Sequence, residues 1–393
     1  MISLRSLYRF PAVRAFSFRY GRSVWKLPLV LRKRLTFEAN WRHLPDSKIQ
    51  YFGQPQKVHP TAPVFAQGGL NFRQKMVLAN YRLPQPSVMR LPIAWLVGKH
   101  AAPITPEGRL LLSPFRDAPR ILSLEQHPDI LNFLNSGQFR QKPAIPQRRD
   151  IFPLVSRLDP NYFHWIVESC GQLQGLEAYS AATGIKPQIL IRAGGNPYIR
   201  QSLQLLGYGP QIIEWNQDGS PTPVEGLIIA SLPGNRVACS PASLQWLRGK
   251  FLAAAGVEMG KIKPTRKIYI SRKPGGWRLV ANDTAVAAAL AENGFETLRP
   301  DGLSLAEQIQ LFSESKIIVG MHGAGLTNIL FTPGAALLEF TGDYGGGEYL
   351  SMAASLGNPY ASVRCQTRGD DIVVDIANLL GAIKRLSTAA PPQ

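Results

Sequence analysis

Residues 317–328 have the composition and spacing of an anion-binding turn. An apolar run at 317–319 is typical of a buried strand, and a glycine ends it. His322 and three small residues follow, after which 326–330 resembles the start of a helix. Glycine lets the backbone approach a ligand closely, and the N–H groups of a first helical turn point towards it. The ligand that this unit suits best is a phosphate. The residues assigned to the site are His322, Gly323, Ala324, Gly325, Leu326, Thr327 and Asn328.

Two other polar features follow, or lie within, strands of the same region. Arg272 and Lys273 come directly after an apolar segment, and Glu339 stands in another. Ligands of open α/β sheets bind at the carboxyl ends of the strands, so we expect these residues to lie beside the 322–328 turn. The two cations would provide donors and charge for a diphosphate, and a carboxylate such as Glu339 suits the two hydroxyls of a ribose. Together these features predict a nucleoside-diphosphate site.

Each of these features also has an explanation without a ligand. An Arg-Lys pair at a strand end is often only solvated, and the glycines could serve the turn alone. His322 could contact the phosphate or the sugar, or it could brace the turn. Glu339 is harder to explain as a surface acid, because a carboxylate within an apolar strand needs partners. The agreement of the features is therefore what favours a nucleotide site.

A second group of candidate residues lies in the first half of the chain. The apolar spacing of 161–182 predicts a helix, and His164 and Glu168 would share one face of it. Either side chain could take a proton from an attacking hydroxyl group. The alternative is a helix start capped by Asn161, with His164 hydrogen-bonded in the core. Both interpretations stay open on the sequence alone.

The elements that must position both groups are strands alternating with helices, which indicates two tandem α/β units with parallel sheets. Their boundary is predicted near 245–262. A β-hairpin is predicted within 91–125, around a turn at 106–108, and 40–90 is predicted to be irregular. The segment 304–307 has the pattern of a capping box. The predicted strands are 188–191, 211–215, 227–230, 267–270 and 335–340, and the predicted helices are 161–182, 197–206, 284–292, 304–313, 349–356 and 372–383.

The net charge of +18 favours polyanionic partners, namely nucleic acid, an anionic membrane surface or phosphorylated ligands. Nine basic residues precede the first acidic residue, Glu38, and aromatic residues lie between them. The segment 1–36 is therefore predicted to be either a membrane-surface arm or a basic tail without such a role. We expect no secretory signal, because the bases leave no sufficient apolar core, and no transmembrane helix is predicted.

Several metal and nucleotide motifs are absent from the sequence. It contains no Asp-x-Asp pair, no His-Glu-x-x-His, no Cys-x-x-Cys and no Walker A sequence, so no metal site is predicted. The glycine turn lacks the Gly-x-Gly-x-x-Gly pattern, which disfavours NAD, and no cofactor is predicted. The three cysteines lie far apart and predict no disulfide framework, which indicates a reducing compartment.

Four segments, in this order along the chain, resemble motifs of glycosyltransferase family 61. The first is the turn and strand 106–112, and the second is Asn-Tyr-Phe-His-Trp-Ile-Val-Glu at 161–168. The third is Lys-Ile-Tyr-Ile-Ser-Arg-Lys at 267–273. The fourth is Met-His-Gly-Ala-Gly-Leu-Thr-Asn-Ile-Leu-Phe at 321–331, with Pro-Gly-Ala-Ala-Leu-Leu-Glu-Phe behind it. The likeness extends over about residues 90–383.

The resemblance implies a GT-B fold, in which two Rossmann-like domains face a cleft, and an inverting transfer from a nucleotide-sugar without an obligatory metal. It implies that Arg272, the 322–328 turn and Glu339 hold the diphosphate and ribose of the donor. His164 and Glu168 would face them from the acceptor domain.

The resemblance also suggests how the chain is divided. One departure from the family is Lys273, which stands where a second arginine is common and weakens bidentate phosphate contact while keeping the charge. The predicted parts are a basic, partly irregular arm at 1–60, an acceptor-side α/β domain with a β-rich start at 61–250, a nucleotide-sugar-binding α/β domain at 251–385 and a frayed tail at 386–393.

The function that the resemblance implies is sugar transfer from a nucleotide-diphosphate sugar, with UDP expected, to a hydroxyl of a glycan or lipid-linked glycan. The expected setting is surface polysaccharide biosynthesis in the cytoplasm, with the protein peripheral at the inner membrane face. Glu168, or else His164, would deprotonate the acceptor, and Arg272 and the helix start would stabilise the leaving diphosphate. The alternative is a non-catalytic basic protein that binds nucleic acid or anionic glycan. We expect no nucleic-acid partner, because the bases and aromatics concentrate in the N-terminal arm.

Overall fold

The computed structural model of the protein describes residues 35–37, 41, 43–112, 128–141, 148–156, 158–215, 220–234, 238–276, 278–343 and 345–389. Nearly all of the predicted membrane-surface arm, and the last residues of the predicted frayed tail, lie outside the described residues. Within that part of the chain the protein is a mixed α/β structure with two main sheets.

The strands, in chain order, are β1 Leu35–Phe37, β2 Lys48–Tyr51, β3 Gln56–Val58, β4 Phe65–Gln67, β5 Tyr81–Leu83, β6 Ser87–Val97, β7 Ala102–Ile104, β8 Leu110–Leu112, β9 Arg148–Pro153, β10 Gln188–Arg192, β11 Ile212–Trp215, β12 Thr222–Ala230, β13 Arg266–Ile270, β14 Glu296–Leu298, β15 Ser315–Met321, β16 Ala336–Thr341, β17 Tyr360–Arg364, β18 Gln366–Arg368 and β19 Asp371–Val373.

The α-helices are α1 Phe72–Val77, α2 Pro128–Ser136, α3 Leu173–Thr183, α4 Pro197–Leu205, α5 Pro241–Ala254, α6 Asp283–Ala291, α7 Leu305–Ser313, α8 Glu348–Leu356 and α9 Ile376–Ala389. A π-helical turn spans His164–Ser169. The 3₁₀ helices are Gln138–Arg140, Cys170–Gln172, Gly209–Gln211, Met259–Lys261, Pro300–Gly302 and Ala324–Phe331.

The larger sheet has nine strands among the described residues, in the order β1-β8-β7-β6-β12-β9-β10-β11, with β2 also paired to β6. The strands β12, β9, β10 and β11 pair in parallel, whereas β6 is antiparallel to β12, β2 and β7. A parallel α/β part is thus joined, through the long strand β6, to a β-rich part built from the earlier residues.

The smaller sheet is entirely parallel, in the order β14-β13-β15-β16-β17-β4. Helices cover both of its faces, with α6 and α9 on one side and α7 and α8 on the other. Numbered along the chain from β13, the first five strands lie in the order 2-1-3-4-5, which is one of the doubly wound arrangements. The order reverses between β13 and β15, so the topological switch point of this sheet lies there, which is where sheets of this kind commonly bind ligands.

One apolar core joins the two sheets. Ile228 of β12, Ile318 of β15 and Leu337 of β16 belong to a single buried cluster, and Leu247 of α5 lies within it. The helix α5 crosses the predicted domain boundary, and Arg248 on its surface donates to the carbonyl of residue 330 at 2.9 Å. The division into domains therefore stays a prediction, because the described residues on either side of the boundary share their packing.

Most predicted elements coincide with observed ones, including the strand predicted at 317–319, the other five predicted strands and the helices α4, α6, α7 and α8. The capping box at the start of α7 is confirmed: the Ser304 side chain accepts from the Glu307 N–H, and the Glu307 side chain accepts from the Ser304 N–H. Buried parallel strands are continuous apolar runs, which explains why sequence periodicity locates them well.

The hairpin prediction is wrong in its pairing. The strand β6 pairs with β7, and β7 then pairs with β8 around the 106–108 turn. The chain reverses earlier than expected, because Gly98 and Ala101 both have positive φ values, 72° and 49°, and the Ala101 N–H donates to the Gly98 carbonyl at 2.9 Å.

One prediction near the C-terminus is also wrong. The predicted helix 372–383 begins only at Ile376, since residues 371–373 form β19 and Asp375 then accepts from the Asn378 N–H as a cap. The helix α9 extends to residue 389, into the segment predicted to be a frayed tail.

The segment 40–90, predicted to be irregular, contains β2 to β5, the start of β6 and α1. Asn71 and Gln74 form a second capping box, which we did not identify. Residues 65–67, predicted to belong to the N-terminal domain, form β4 and pair in parallel with β17 at the edge of the smaller sheet. The N-terminal half of the chain therefore contributes a strand to the sheet that carries the candidate site.

Candidate active site

The carboxyl ends of β13 and β15 bring Arg272 and the glycine turn together. Nη1 of Arg272 donates to the carbonyl of Arg278 at 2.7 Å, and Nη2 donates to the carbonyl of His322 at 2.6 Å. A Cβ on Gly323 would lie 1.8 Å from Nη2. The φ of Gly323 is 168°, an extended value, so the close approach of Arg272 and not the backbone conformation requires glycine.

The guanidinium of Arg272 is held as a partly buried cation. Burial, followed by the nearby charge of Arg278, lowers the pKa of Arg272 from its ordinary value. Arginine nevertheless stays charged in proteins. The adjacent Lys273 is exposed, so the loop after β13 presents one fixed and one mobile positive charge.

The helix after the glycine turn is a 3₁₀ helix, Ala324–Phe331, rather than an α-helix. The Leu326 N–H already donates to the Gly323 carbonyl at 2.9 Å. By the geometry of such a helix, the N–H groups that begin it lack partners within it. Ala324 and Gly325 hold these positions, and both are only partly buried.

Thr327 and Asn328 lie behind the turn and are fully buried. Asn328 accepts at Oδ1 from the Tyr162 hydroxyl at 2.8 Å and donates through Nδ2 to Gln308 at 3.0 Å. It therefore ties the turn to the segment before the π-helical turn and to α7. The Thr327 hydroxyl has no hydrogen-bond partner among the described residues.

Glu339 lies beside His322 and is buried, with 1% of its surface exposed. Its Oε1 is 2.5 Å from Nδ1 of His322, and its Oε2 accepts from the Tyr360 hydroxyl. The three parallel strands align as expected, with Ile270 beside Gly320 and Gly320 beside Glu339. Glu339 thus lies at the predicted edge, but its carboxylate faces protein groups rather than a space for a ribose.

His164 and Glu168 lie on the π-helical turn, a form that is rare and frequent at functional sites. Nδ1 of His164 is 3.0 Å from Oε2 of Glu168, and each side chain is 27% exposed. This contact is not a hydrogen bond, and Nδ1 of His164 has no hydrogen-bond partner among the described residues. Asn161 caps the turn by accepting from the His164 N–H at 3.3 Å. The cap of the alternative interpretation is present, but the core hydrogen bond of His164 is not.

A series of ring contacts joins this turn to the glycine turn. The ring centroids of His164 and Phe163 are 5.3 Å apart, and those of Phe163 and Tyr349 are 5.9 Å apart. The ring of Tyr349 contacts that of His322 at 5.1 Å. Burial raises the pKa of Tyr349 well above its usual range, so its hydroxyl stays neutral. The two predicted groups of site residues are therefore neighbours across α8.

A cavity of about 600 Å³ opens at the switch point. Loops after β13, β14 and β15 form one wall, and Tyr162 with the start of α4 forms the other. Several predicted site residues line the cavity: Arg272, Lys273, Gly323, Ala324, Gly325 and Leu326. Others lie outside its lining: His164, Glu168, His322, Thr327, Asn328 and Glu339.

Three residues of the cavity wall were missed in the sequence. Asp301, on the 3₁₀ turn after β14, is the one carboxylate among the lining residues. The strand-end rule would have identified Asp301 if β14 had been predicted. Tyr162 and Tyr198 pack edge to face at 5.1 Å on the opposite wall. Their positions depend on long-range packing, for which the sequence carries no local signal.

No group of three His, Cys, Asp or Glu side chains is placed to hold a metal ion in the part of the chain that the structure describes. Burial raises the pKa of the Cys170 and Cys239 thiols to about 12, so neither is an activated nucleophile. Across the described ranges, no helix has both the length and the apolar character needed to span a bilayer.

Comparisons with known proteins complete the description of the site. The family model of Glycosyltransferase 61 matches residues 162–338, a span that contains the π-helical turn and the loops after β13 and β15. Among solved structures, the glycosyl transferase of family 9 from Veillonella parvula DSM 2008 is 8% identical, with 62% of this chain and 99% of that chain covered. Its TM-score of 0.27 supports no statement about a shared fold. No curated protein matches the chain. The resemblance seen in the sequence is confirmed over residues 162–338. The non-catalytic alternative is therefore set aside, and the protein is a glycosyltransferase.

Proposed function

We propose that the protein transfers a sugar from a nucleotide-diphosphate sugar, with UDP as its nucleotide, to a hydroxyl group of a glycan or lipid-linked glycan. The observation that carries this proposal is the cavity at the switch point, where Arg272 and the N–H groups of Ala324 and Gly325 meet. Its volume of about 600 Å³ is in the range of small-molecule sites. Two Rossmann-like domains facing a cleft, as in a GT-B fold, are part of the proposal, supported by the lining of the cavity from both halves of the chain.

The diphosphate of the donor is assigned to the wall formed by the loops after β13 and β15. Arg272 provides fixed donors there, and Lys273 adds a charge that can follow the ligand. The start of the 3₁₀ helix offers N–H groups and a partial positive charge to the same anion.

The ribose is assigned to Asp301 rather than to Glu339. Asp301 lines the cavity beside the diphosphate wall, whereas Glu339 is buried and engaged with His322 and Tyr360. A carboxylate accepts from both hydroxyls of a ribose. Glu339 does not line the cavity, and we assign it only the indirect role of contacting His322.

The opposite wall is assigned to the transferred sugar and the acceptor. Tyr162 and Tyr198 offer apolar ring faces with a polar tip, which suits a sugar ring. The π-helical turn begins two residues after Tyr162, and it places His164 and Glu168 on this side.

The reaction is proposed to be a single displacement with inversion. Glu168, or else His164, removes the proton from the acceptor hydroxyl. The acceptor oxygen forms a bond to the anomeric carbon from the face opposite the nucleotide. The bond from that carbon to the diphosphate breaks, and its electron pair leaves with the diphosphate. Arg272 and the helix start stabilise the charge that develops there.

We propose that this transfer needs no metal ion. The leaving diphosphate gains negative charge, and Arg272, Lys273 and the N–H groups of the turn supply the compensating positive charge. Full activity after chelation with EDTA supports this assignment, and activity that returns only on addition of Mg²⁺ or Mn²⁺ contradicts it.

The proposed setting is surface polysaccharide biosynthesis at the cytoplasmic face of a membrane. The support for membrane contact is the run of bases and aromatics in 1–36, which suits anionic lipid. Flotation of the full chain with anionic liposomes, compared with a chain lacking 1–36, tests the contact. Equal flotation of the two proteins would remove it from the proposal.

The donor assignment is tested by thermal unfolding in the presence of a panel of nucleotide-sugars. At about 100 times Kd, the correct donor raises Tm by several degrees, because it binds only the folded protein. Lys316→Ala, an exposed residue of β15, should keep the shift, and Arg272→Ala should lose most of it. A panel without any shift, together with no sugar transfer, would overturn the proposed function.

A further inference from the structure

A buried chain of hydrogen bonds leads from α1 to His322. Nε2 of Gln74 donates to the hydroxyl oxygen of Tyr360 at 2.9 Å, and the Tyr360 hydroxyl contacts Oε2 of Glu339. Oε1 of Glu339 lies 2.5 Å from Nδ1 of His322. Gln74, Tyr360 and Glu339 are each no more than 2% exposed. The chain therefore runs through a region without solvent, where hydrogen bonds are strong and unpaired groups are costly.

The direction of this chain is determined at its far end. The side-chain oxygen of Gln74 accepts from the Asn71 N–H at 3.0 Å as part of the α1 capping box. The Gln74 amide nitrogen must then face Tyr360, and an amide nitrogen only donates. The Tyr360 oxygen accepts from it, so its own proton is left for Glu339. Burial, followed by the charge of Glu339, raises the pKa of Tyr360 well above its usual range, which keeps that proton in place.

We propose that Gln74, Tyr360 and Glu339 are positioning residues that hold the His322 ring in one orientation, with a proton on Nδ1. The carboxylate accepts from Tyr360 at one oxygen, and its other oxygen faces Nδ1 as a second acceptor. Which ring nitrogen of a histidine carries the proton is set by the bond that the other makes.

This inference rests on the proposed function for its consequence in the reaction. Nη2 of Arg272 donates to the His322 carbonyl. A His322 held in one orientation would therefore help to hold the guanidinium that stabilises the leaving diphosphate. Residues 71–77, which are far from the glycine turn in the sequence, would therefore help to orient the His322 ring through Gln74.

Backbone hydrogen bonds hold the region around Tyr360 and β4, and they do not involve the Gln74 side chain. The Val64 N–H donates to the Tyr360 carbonyl at 2.7 Å, and β4 pairs with β17 along three residues. Substitutions that remove only the Gln74 amide or the Tyr360 hydroxyl therefore leave the backbone of this region bonded. Gln74→Leu and Tyr360→Phe are suitable variants for that reason.

The direct test is NMR of the protein labelled with ¹⁵N at its histidine rings. The chain has six histidines, and the signal that disappears in His322→Asn identifies His322. We expect a protonated Nδ1 in the ligand-free protein, with a proton signal at low field, and a changed signal in Tyr360→Phe and Gln74→Leu. Tyr81→Phe is the matched control, because the Tyr81 hydroxyl donates to the Cys239 carbonyl instead, and it should leave the His322 signals unchanged.

A neutral ring protonated only at Nε2 in the wild-type protein would overturn the inference. So would His322 signals that are identical in wild type, Tyr360→Phe and Gln74→Leu. The spectrum is recorded without substrate, so it tests the inference about His322 even if no sugar donor is found. With a donor, Tyr360→Phe should lower kcat roughly fivefold, the effect of one hydrogen bond, with KM little changed. Tyr81→Phe should retain the wild-type kcat.

Discussion

Arg272 occupies the space that any side chain at position 323 would need, since a Cβ on Gly323 would lie 1.8 Å from its Nη2. The guanidinium of Arg272 can therefore hold this position only when residue 323 is glycine. The carbonyl of His322 accepts a hydrogen bond from the same Nη2 at 2.6 Å. The guanidinium of Arg272 and the N–H groups of the turn therefore lie on the same wall of the cavity.

Gly323→Ala should move the guanidinium and weaken nucleoside-diphosphate binding. The displaced group is the far end of a flexible side chain, so we expect little change in Tm. The Kd for UDP, measured by calorimetry, should rise about tenfold or more, because a charged hydrogen bond is misplaced. Gly381→Ala is the control, since a Cβ there meets no other atom within 4 Å and alanine favours its helix. An unchanged Kd in Gly323→Ala contradicts the assigned role of Arg272.

Glu168→Gln should abolish transfer while leaving donor binding intact. The amide cannot accept the proton of the acceptor hydroxyl, and loss of a general base lowers kcat about 10²- to 10⁴-fold. The measurement is kcat beside the Kd of UDP in the same preparation. Glu177→Gln is a suitable control, because Glu177 pairs with Lys250 at 2.7 Å on the surface. A rate near that of wild type in Glu168→Gln would move the base to His164, which His164→Asn then tests.

Asp301→Asn should reduce affinity for nucleotides that carry ribose hydroxyls. Replacement of a carboxylate acceptor by an amide removes charge-assisted bonds, so the Kd of UDP should rise roughly tenfold. The Kd of the 2′,3′-dideoxy analogue should be the same for variant and wild type, which makes this comparison the decisive one. Equal weakening for both ligands would show that Asp301 does not contact the ribose.

The pH dependence of stability should contain a contribution from Glu307. The Ser304 side chain and N–H, by bonding the carboxylate, lower the pKa of Glu307 in the folded protein. A lowered folded-state pKa gives a contribution that is present above the unfolded pKa of about 4.3 and is lost as pH falls through the folded value. The difference in unfolding free energy between wild type and Glu307→Gln should therefore shrink below about pH 4.3. A difference that stays constant down to pH 2 contradicts this account.

Short-range patterns in the sequence were sufficient to predict part of the geometry of the candidate site. The apolar runs before Arg272 and His322, together with the strand-end rule, placed both residues at one edge of a parallel sheet. The hydrogen bond from Gln74 to Tyr360 could not be predicted, because these two residues are 286 residues apart in the chain. Their meeting depends on β4 pairing with β17, a contact between distant segments for which no local pattern exists.

The most direct measurement of the central claim is calorimetric binding of UDP, UMP and uridine to wild type and to Arg272→Ala. The account predicts that UDP binds wild type best, and that Arg272→Ala loses roughly 10- to 100-fold in affinity for UDP while its affinity for uridine is unchanged. Lys316→Ala should bind all three ligands like the wild type. If Arg272→Ala binds UDP as tightly as wild type does, the diphosphate does not lie at the switch point of the parallel sheet.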